Sequence, residues 1–270
     1  MNMTHNNLRP LLPVNPKGLD DVADALLKND SNIPPQGDSP SRAANIKNPE
    51  KYIFLPGKSH GSFSYSDMFV PMDRTHQGKN WSDAHLALYQ EGAFMLTIRQ
   101  FVDFLNLLRH DIVHDGNGRV VNKSKVGAIL DDILTVRDPY RAEWLDADFK
   151  VKDKKLKVVG GKLYMNYEHT IVKGVVTSKR SEEMQGYLAG DKTPGIDLDD
   201  WLKNALPSGL PSANFKDGKL YYYEPDWDNN SVAGFGAYSG GAGLGCGGNL
   251  SGTSGGLGVR ACREKNGGTR

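Results

Sequence analysis

The chain has 270 residues, 38% hydrophobic and 24% charged, with a net charge of +1 and a pI of about 7.7. That composition suits a soluble globular protein with a substantial core, and its near-neutral charge offers no basic face for nucleic acid. Two cysteines exclude a disulfide-dense scaffold, and the apolar runs, such as 92–98, fall far short of a membrane span. The opening Met1-Asn2-Met3-Thr4-His5 lacks the apolar segment of a secretory signal. Glycine is concentrated: 12 of the 31 lie within 234–258.

Residues 1–48 read as a polar tail, broken by Ile33-Pro34-Pro35-Gln36-Gly37-Asp38. Within it, 19–27 carries a helical pattern too short to be stable alone, either a docking or oligomerising segment or part of a loose tail. The globular pattern begins near Tyr52. A strand is predicted over 52–55 and a turn at Pro56-Gly57, followed by a loop holding Phe63, Tyr65, Met68, Phe69 and Val70. A helix from near Ser82 carries Leu86, Leu88 and Tyr89 and stops at Gly92. The next opens on a capping box, Thr97-Ile98-Arg99-Gln100, and places Phe101, Phe104, Leu105 and Leu108 on one face.

Asp115-Gly116-Asn117-Gly118 predicts a turn, and 124–134 a third helix with Val126, Ile129, Leu130 and Ile133 inward. Strands are predicted over 143–151, 156–159, 163–167 and 171–176, with hairpin turns at Gly160-Gly161 and Lys173-Gly174. The stretch 139–190 reads as an insertion or embellishment. A short helix over 197–206 has Asp197, Asp199 and Asp200 in its dipole-favoured first turn, and 219–223 is a further strand.

The tract 231–262 is the most informative. Phe235, Ala237 and Ser239 alternate with Gly236, Tyr238 and Gly240; Ala242, Leu244 and Cys246 alternate with Gly243, Gly245 and Gly247. Period two predicts two strands with one small or apolar face and one nearly bare face. Leu257, Val259 and Ala261 suggest a third strand. Glycine in a strand costs ~0.5–1 kcal/mol relative to alanine. Eight or more are a sizeable share of the ~5–15 kcal/mol that stabilises a domain. Either the bare backbone meets a ligand closely, or that face is free to vary.

The pattern Ser231-Val232-Ala233-x-Phe235-x-Ala237-x-Ser239-x-x-Ala242-x-Leu244-x-Cys246, followed by Leu257-Gly258-Val259-Arg260, resembles the variable region of proteins diversified by diversity-generating retroelements, notably those of archaea and their viruses. The resemblance covers about 50–265. It includes Arg74-Thr75-His76-x-Gly78-Lys79-Asn80-Trp81, Phe94-Met95-Leu96-Thr97-x-Arg99-Gln100-Phe101, Thr135-Val136-Arg137-Asp138-Pro139 and Thr193-Pro194-Gly195-Ile196-Asp197-Leu198. It implies an α+β, C-type-lectin-like (formylglycine-generating-enzyme-like) single domain over 49–270, with a variable region at about 231–262. In that family a reverse transcriptase copies a template repeat with errors at adenines, so Asn codons become Gly, Ser, Asp or Tyr codons.

The expected ligand-binding positions are Gly236, Tyr238, Gly240, Gly241, Gly243, Gly245, Gly247, Gly248, Asn249, Gly252, Ser254 and Gly255. Phe235, Ala237, Ala242, Leu244, Cys246, Leu257 and Val259 match scaffold positions. The expected partner is a protein or other macromolecule of variable identity, with no nucleic acid, cofactor, metal or catalysis, and with oligomeric state open. This tract contains no Asp, and Leu250 stands where the family pattern expects proline. Tyr238 is its one large varied residue.

Weaker signals carry plainer alternatives. Glu224-Pro225-Asp226 and Trp227-Asp228-Asn229 are similar to lectin calcium motifs, but they are adjacent here rather than on separate converging elements, which favours a polar turn. His110 and His114 have zinc-ligand spacing without a third ligand, so a solvated helix end is the other reading. Cys246 and Cys262 are two buried thiols or a disulfide. Their spacing differs from the copper-binding pair of formylglycine-generating oxidoreductases, which remain the enzyme alternative. A structural domain with a loose glycine tail, or with a fixed glycine contact face, is the third reading. The glycines form no dinucleotide motif, because no strand-then-helix context follows.

Overall fold

A computed structural model describes residues 46–152, 162–227 and 230–265. The 19–27 pattern, the strand expected over 156–159 with its Gly160-Gly161 turn, and Asp228-Asn229 lie outside the described residues. In chain order the first elements are β1 (Tyr52–Leu55), β2 (Lys58–His60), β3 (Phe63–Tyr65) and β4 (Met68–Pro71). The helices α1 (Trp81–Gln90), α2 (Ile98–His110) and α3 (Lys123–Leu134) follow. Then come β5 (Arg141–Lys152), β6 (Lys162–Val172), β7 (Val175–Glu183), β8 (Lys192–Ile196), α4 (Leu198–Asn204) and β9 (Leu220–Tyr223). The chain finishes with β10 (Ser231–Ala237), β11 (Ala242–Asn249), β12 (Leu257–Gly258) and β13 (Arg263–Glu264). This is a mixed α and β architecture with four α-helices among the described residues, none long and apolar enough to cross a membrane.

The helix ends follow their sequence signals. Asn80 caps α1 by accepting from the Asp83 amide, and Gly92 lies just beyond its end at φ +64°. The face of α1 that is buried starts at Trp81 and continues through Ala84, His85 and Leu88, which leaves Leu86, expected inward, exposed. Thr97 and Gln100 close a reciprocal capping box on α2, whose Phe101, Phe104, Leu105 and Leu108 are all buried. In α3, Ile129 and Ile133 are buried while Val126 and Leu130 pack half-buried against the core.

Residues 58–71, expected as a loop, are three short strands instead. Strands this short give no readable alternation, and β4 is held by partners far along the chain. It pairs antiparallel with β1 and with β13, so the two ends of the described domain share one small sheet.

The large sheet runs β7-β6-β5-β10-β11-β9-β8, with β12 added beside β5. Its neighbours are antiparallel except β11 with β9 and β12 with β5. The stretch 139–190 is therefore not simply an embellishment: β5 lies in the middle of the sheet, and the β6–β7 hairpin extends its edge. The expected strand 171–176 is the bend of that hairpin, where Lys173 and Gly174 both take positive φ. Strand β8 crosses Thr193-Pro194-Gly195, residues that read as breakers. The third strand expected in the C-terminal tract is short: only Leu257 and Gly258 join the ladder, with Val259 bridging Thr75 and Cys262 bridging Phe94.

Each face of this sheet has its own core. Leu145, Ala147, Phe149, Ala233, Phe235, Leu244 and Cys246 pack on the side of α2, α3 and α4, with the Phe235 ring between Phe101 and Trp201. On the other side Trp81, Ala84 and Leu88 of α1 meet Ala142, Trp144, Val232, Leu257 and Val259. Here α1 packs on β6 and β7.

A buried ion network joins the helical side to the C-terminal tract. Glu143 accepts from Arg141 Nη1 at 2.7 Å and pairs with Arg260 Nε at 3.0 Å, all three side chains at most 2% exposed. Burial alone would raise the Glu143 carboxyl; Arg141 and then Arg260 overcome this and hold it below the usual carboxylate range. Arg260 also donates to the carbonyls of Pro71 and Met72 at 2.7 and 2.6 Å. Replacing Glu143 with leucine strands two buried guanidiniums, and urea unfolding should register a loss of ~3–5 kcal/mol. A loss below ~1 kcal/mol would mean the network is not a structural keystone.

Candidate functional site

The glycine tract is a hairpin in the middle of the large sheet, not a tail. β10 and β11 pair over Ser231↔Asn249 to Ala237↔Ala242, and their turn is closed by Tyr238 N to Gly241 O at 3.0 Å and Gly241 N to Tyr238 O at 3.2 Å. Phe235, Leu244 and Cys246 are fully buried on the helical side, as the alternation requires. On the opposite side Gly234 pairs with Gly245 and Gly236 with Gly243, a two-by-two floor of bare backbone.

Aromatic rings border this floor. Tyr221 and Tyr223 pair with Gly243 and Gly245 through the parallel β9–β11 ladder, while Tyr222 between them is buried in the core. The Tyr238 ring lies over Gly236 and stacks on Tyr140, centroids 4.9 Å apart. Tyr223, Trp227 and Tyr238 are exposed. Of the three tyrosines of β9, Tyr222 alone is buried.

The expected positions differ in the room they offer. A Cβ at Gly236 would meet the Tyr238 ring, and at Gly240 and Gly241 the Tyr221 ring at 3.2 and 2.9 Å, all side chains that can turn. At Gly245 the nearest atom is a carbonyl 3.8 Å away, and Gly255 has open space. Gly247 faces the Glu224 carbonyl at 3.1 Å and Gly252 the Asn249 carbonyl at 3.1 Å. Gly243 and Gly248 answer to packing: a Cβ would lie 2.5 Å from the Tyr221 carbonyl oxygen at one and 2.8 Å from the Val232 oxygen at the other. Asn249 is exposed and its Oδ1 accepts from Ser251 N and Oγ, and Ser254 Oγ accepts from Gly256 N. Gly248 and Gly252 close over the edge of the Trp144 indole, whose Nε1 donates to the Lys79 carbonyl at 3.1 Å.

Residues of the upstream motifs hold this loop in place. Arg74 Nη1 donates to the carbonyls of Ala142 and Gly256 at 2.6 and 2.7 Å, and Thr75 and Val259 exchange backbone hydrogen bonds. Trp81 Nε1 donates to the Leu145 carbonyl at 2.9 Å.

Sequence reasoning missed Gly234 and Tyr140 as parts of this surface; Tyr221 and Tyr223 were open to either reading, constant contacts of the surface or core. It also missed a polar cluster on the same side of the sheet, under α1. His85, Asp146 and His169 are all buried, with ligand-capable atoms within 4.8 Å of one another. His169 Nδ1 bonds Asp146 Oδ1, and its Nε2 bonds Asp148 Oδ1 at 3.0 Å. Two acidic residues at alternate positions within the otherwise apolar stretch 144–149, Asp146 and Asp148, were the available signal. Burial lowers His85 to about 4 despite Asp146. For His169, burial is overcome by Asp146 and then Asp148, which raise it to about 9.

Glu224 accepts from the Gly190 amide at 2.9 Å. His114 forms an isolated backbone bridge with Val120, and neither His110 nor His114 belongs to a three-ligand group among the described residues. Cys246 and Cys262 are free and buried, and burial pushes both thiols up. Compared with protein-family models, curated proteins and solved structures, the chain matches none.

Two outcomes follow. Gly243→Ala should destabilise by ~1–3 kcal/mol, whereas Gly245→Ala and Gly255→Ser should stay within ~1 kcal/mol of the parent by urea unfolding. Equal effects at all three would show that Gly243 is not tightly packed. Because His169 is raised in the folded state, its contribution is complete below its unfolded value of ~6.5. That contribution is lost as pH rises through about 9. Asp146→Asn should flatten that alkaline limb of the stability curve, measured in a chelator; an unchanged limb would contradict the pairing.

Proposed function

We propose that this chain is a ligand-binding protein of C-type-lectin-like fold. In this reading β10, β11 and the following loop form a hypervariable surface diversified by adenine-directed retroelement copying. The observation that carries the reading is the two-faced hairpin. One face of β10–β11 is core; the other, beyond the buried Val232, is glycine backbone bordered and partly covered by tyrosine rings, of which Tyr223 and Tyr238 are exposed. Substitutions on the bare face leave Phe235, Leu244 and Cys246 untouched, because strand neighbours point to opposite sides. The flanking loops are pinned by Arg74 and Arg260, so a changed side chain alters the surface rather than the backbone beneath it.

Within this proposal variation is carried where space allows it: at Gly236, Tyr238, Gly240, Gly241, Gly245, Gly247, Asn249, Gly252, Ser254 and Gly255. Gly243 and Gly248 contribute backbone to the floor. The partner is a protein or other macromolecule, since binding hot spots need aromatic or arginine anchors and exposed tyrosines border this face. In this form of the protein the largest varied anchor is Tyr238, so any affinity is weak and Tyr238→Ala removes most of it.

A display library tests the proposal. Randomising 236, 238, 245, 247 and 255 should leave most members folded and yield binders to unrelated protein targets. Randomising 235, 243, 244 and 248 instead should leave few members folded. If both libraries lose the fold alike, or the first yields no binder, the surface is not a diversifiable site. Submicromolar binding by the parent that survives Tyr238→Ala would contradict the role given to that residue.

A further inference from the structure

We infer that His85, Asp146 and His169 form a binding site for a single divalent zinc-class ion, with Asp148 as its outer carboxylate. The site lies under α1 and is independent of the variable surface. Three elements build it. His85 comes from α1, Asp146 from β5 and His169 from β6, and their ligand-capable atoms lie within 4.8 Å of one another.

The first argument is an unsatisfied atom. His85 is 5% exposed, and its Nε2 is buried with no hydrogen-bond partner, 3.6 Å from Asp146 Oδ1. A buried imidazole nitrogen left unbonded forfeits its hydration with nothing in return, so a folded protein rarely keeps one without use for it. The 3.6 Å separation of His85 Nε2 from Asp146 Oδ1 is too long for a hydrogen bond and close to the distance between two ligands of one metal. Ligand atoms ~2.1 Å from a tetrahedral zinc lie ~3.4 Å from each other.

The second argument is orientation. Asp146 Oδ2 accepts from the His169 amide at 3.1 Å, which leaves Oδ1 aimed between the two imidazoles. Trp81 packs edge-on against both rings, with centroids 4.2 Å from His85 and 4.8 Å from His169. His169 Nε2 is bonded to Asp148 Oδ1 at 3.0 Å, the carboxylate–histidine arrangement that orients a metal-ligating imidazole through its other nitrogen. On binding, the Nδ1 proton now shared with Asp146 leaves to solvent and the metal takes its place. The close His169–Asp146 contact opens to ligand spacing as it does so.

The third argument is access. His85 and His169 line a small recess with Leu88, Tyr89, Phe94 and Ile171. Two imidazoles and one carboxylate fill three positions of a tetrahedron, and the recess leaves the fourth for water or a small oxygen or nitrogen ligand.

The test uses the full chain, stripped with a chelator and titrated with zinc chloride against a chromophoric competitor, then with cobalt(II). One zinc per chain and the visible bands of tetrahedral cobalt without a thiolate charge-transfer band are expected. His85→Phe, which keeps a ring against Trp81, should weaken zinc binding at least ~100-fold, and Asp148→Asn ~10–100-fold. The zinc-free His85→Phe protein should melt no lower than the parent, since it loses an unsatisfied atom. His85→Asn gives the same reading should the phenylalanine variant misfold. No zinc uptake by the stripped parent, an octahedral cobalt spectrum, or a His85 variant that binds as tightly as the parent would each overturn the site.

Discussion

The Glu143 carboxylate, held between Arg141 and Arg260 in the interior, is the interaction on which the rest of this structure rests. Arg260 belongs to the C-terminal tract, Glu143 to the central strand β5, and Arg141 reaches Asp132 on α3 at 3.0 Å. One buried anion thus ties helix, sheet and terminus together. Its desolvation is offset only while both guanidiniums stay in place, and Arg260 in turn stays in place by donating to the Pro71 and Met72 carbonyls. The result is a rigid underside for the β10–β11 hairpin.

That rigidity explains how a sheet tolerates so much glycine. The hairpin sits between β5 and β9, so both of its edges are paired, β10 along β5 and Gly243–Gly245 of β11 along β9. Packing is supplied from the helical side by Phe235, Leu244 and Cys246. On the other side, the Tyr238 ring of the hairpin's own turn and the Tyr221 ring of β9 lie over the backbone, filling space that side chains at Gly236, Gly240 and Gly241 would otherwise occupy. Under the proposed function, larger side chains at those positions would have to displace these rings, which are side chains rather than backbone.

How much of this was legible in the sequence depended on range. The capping box of α2, the inward face of α3 and the two-face alternation of β10 and β11 are local patterns, and each was readable. What needed distant partners was not. β4 becomes a strand by pairing with β1 and β13, and β8 does so across a Thr-Pro-Gly sequence that locally reads as a break. Tyr221 and Tyr223 join the glycine floor only through a parallel ladder with β11, which local periodicity does not encode. The His85, Asp146 and His169 cluster draws one residue from each of three elements, and a spacing rule applied along the chain found His110 and His114 instead.

The central claim, a varied surface on a constant scaffold, is tested most directly in DNA. Sequencing the locus that encodes this chain should find a near-copy of the segment for 231–262 and a reverse-transcriptase frame nearby. Mismatches between copy and gene should fall at template adenines and change residues such as 236, 238 and 245, while the codons for Phe235, Leu244 and Cys246 agree. A locus with neither the repeat nor the reverse transcriptase would contradict the claim and make the glycine floor a fixed contact face.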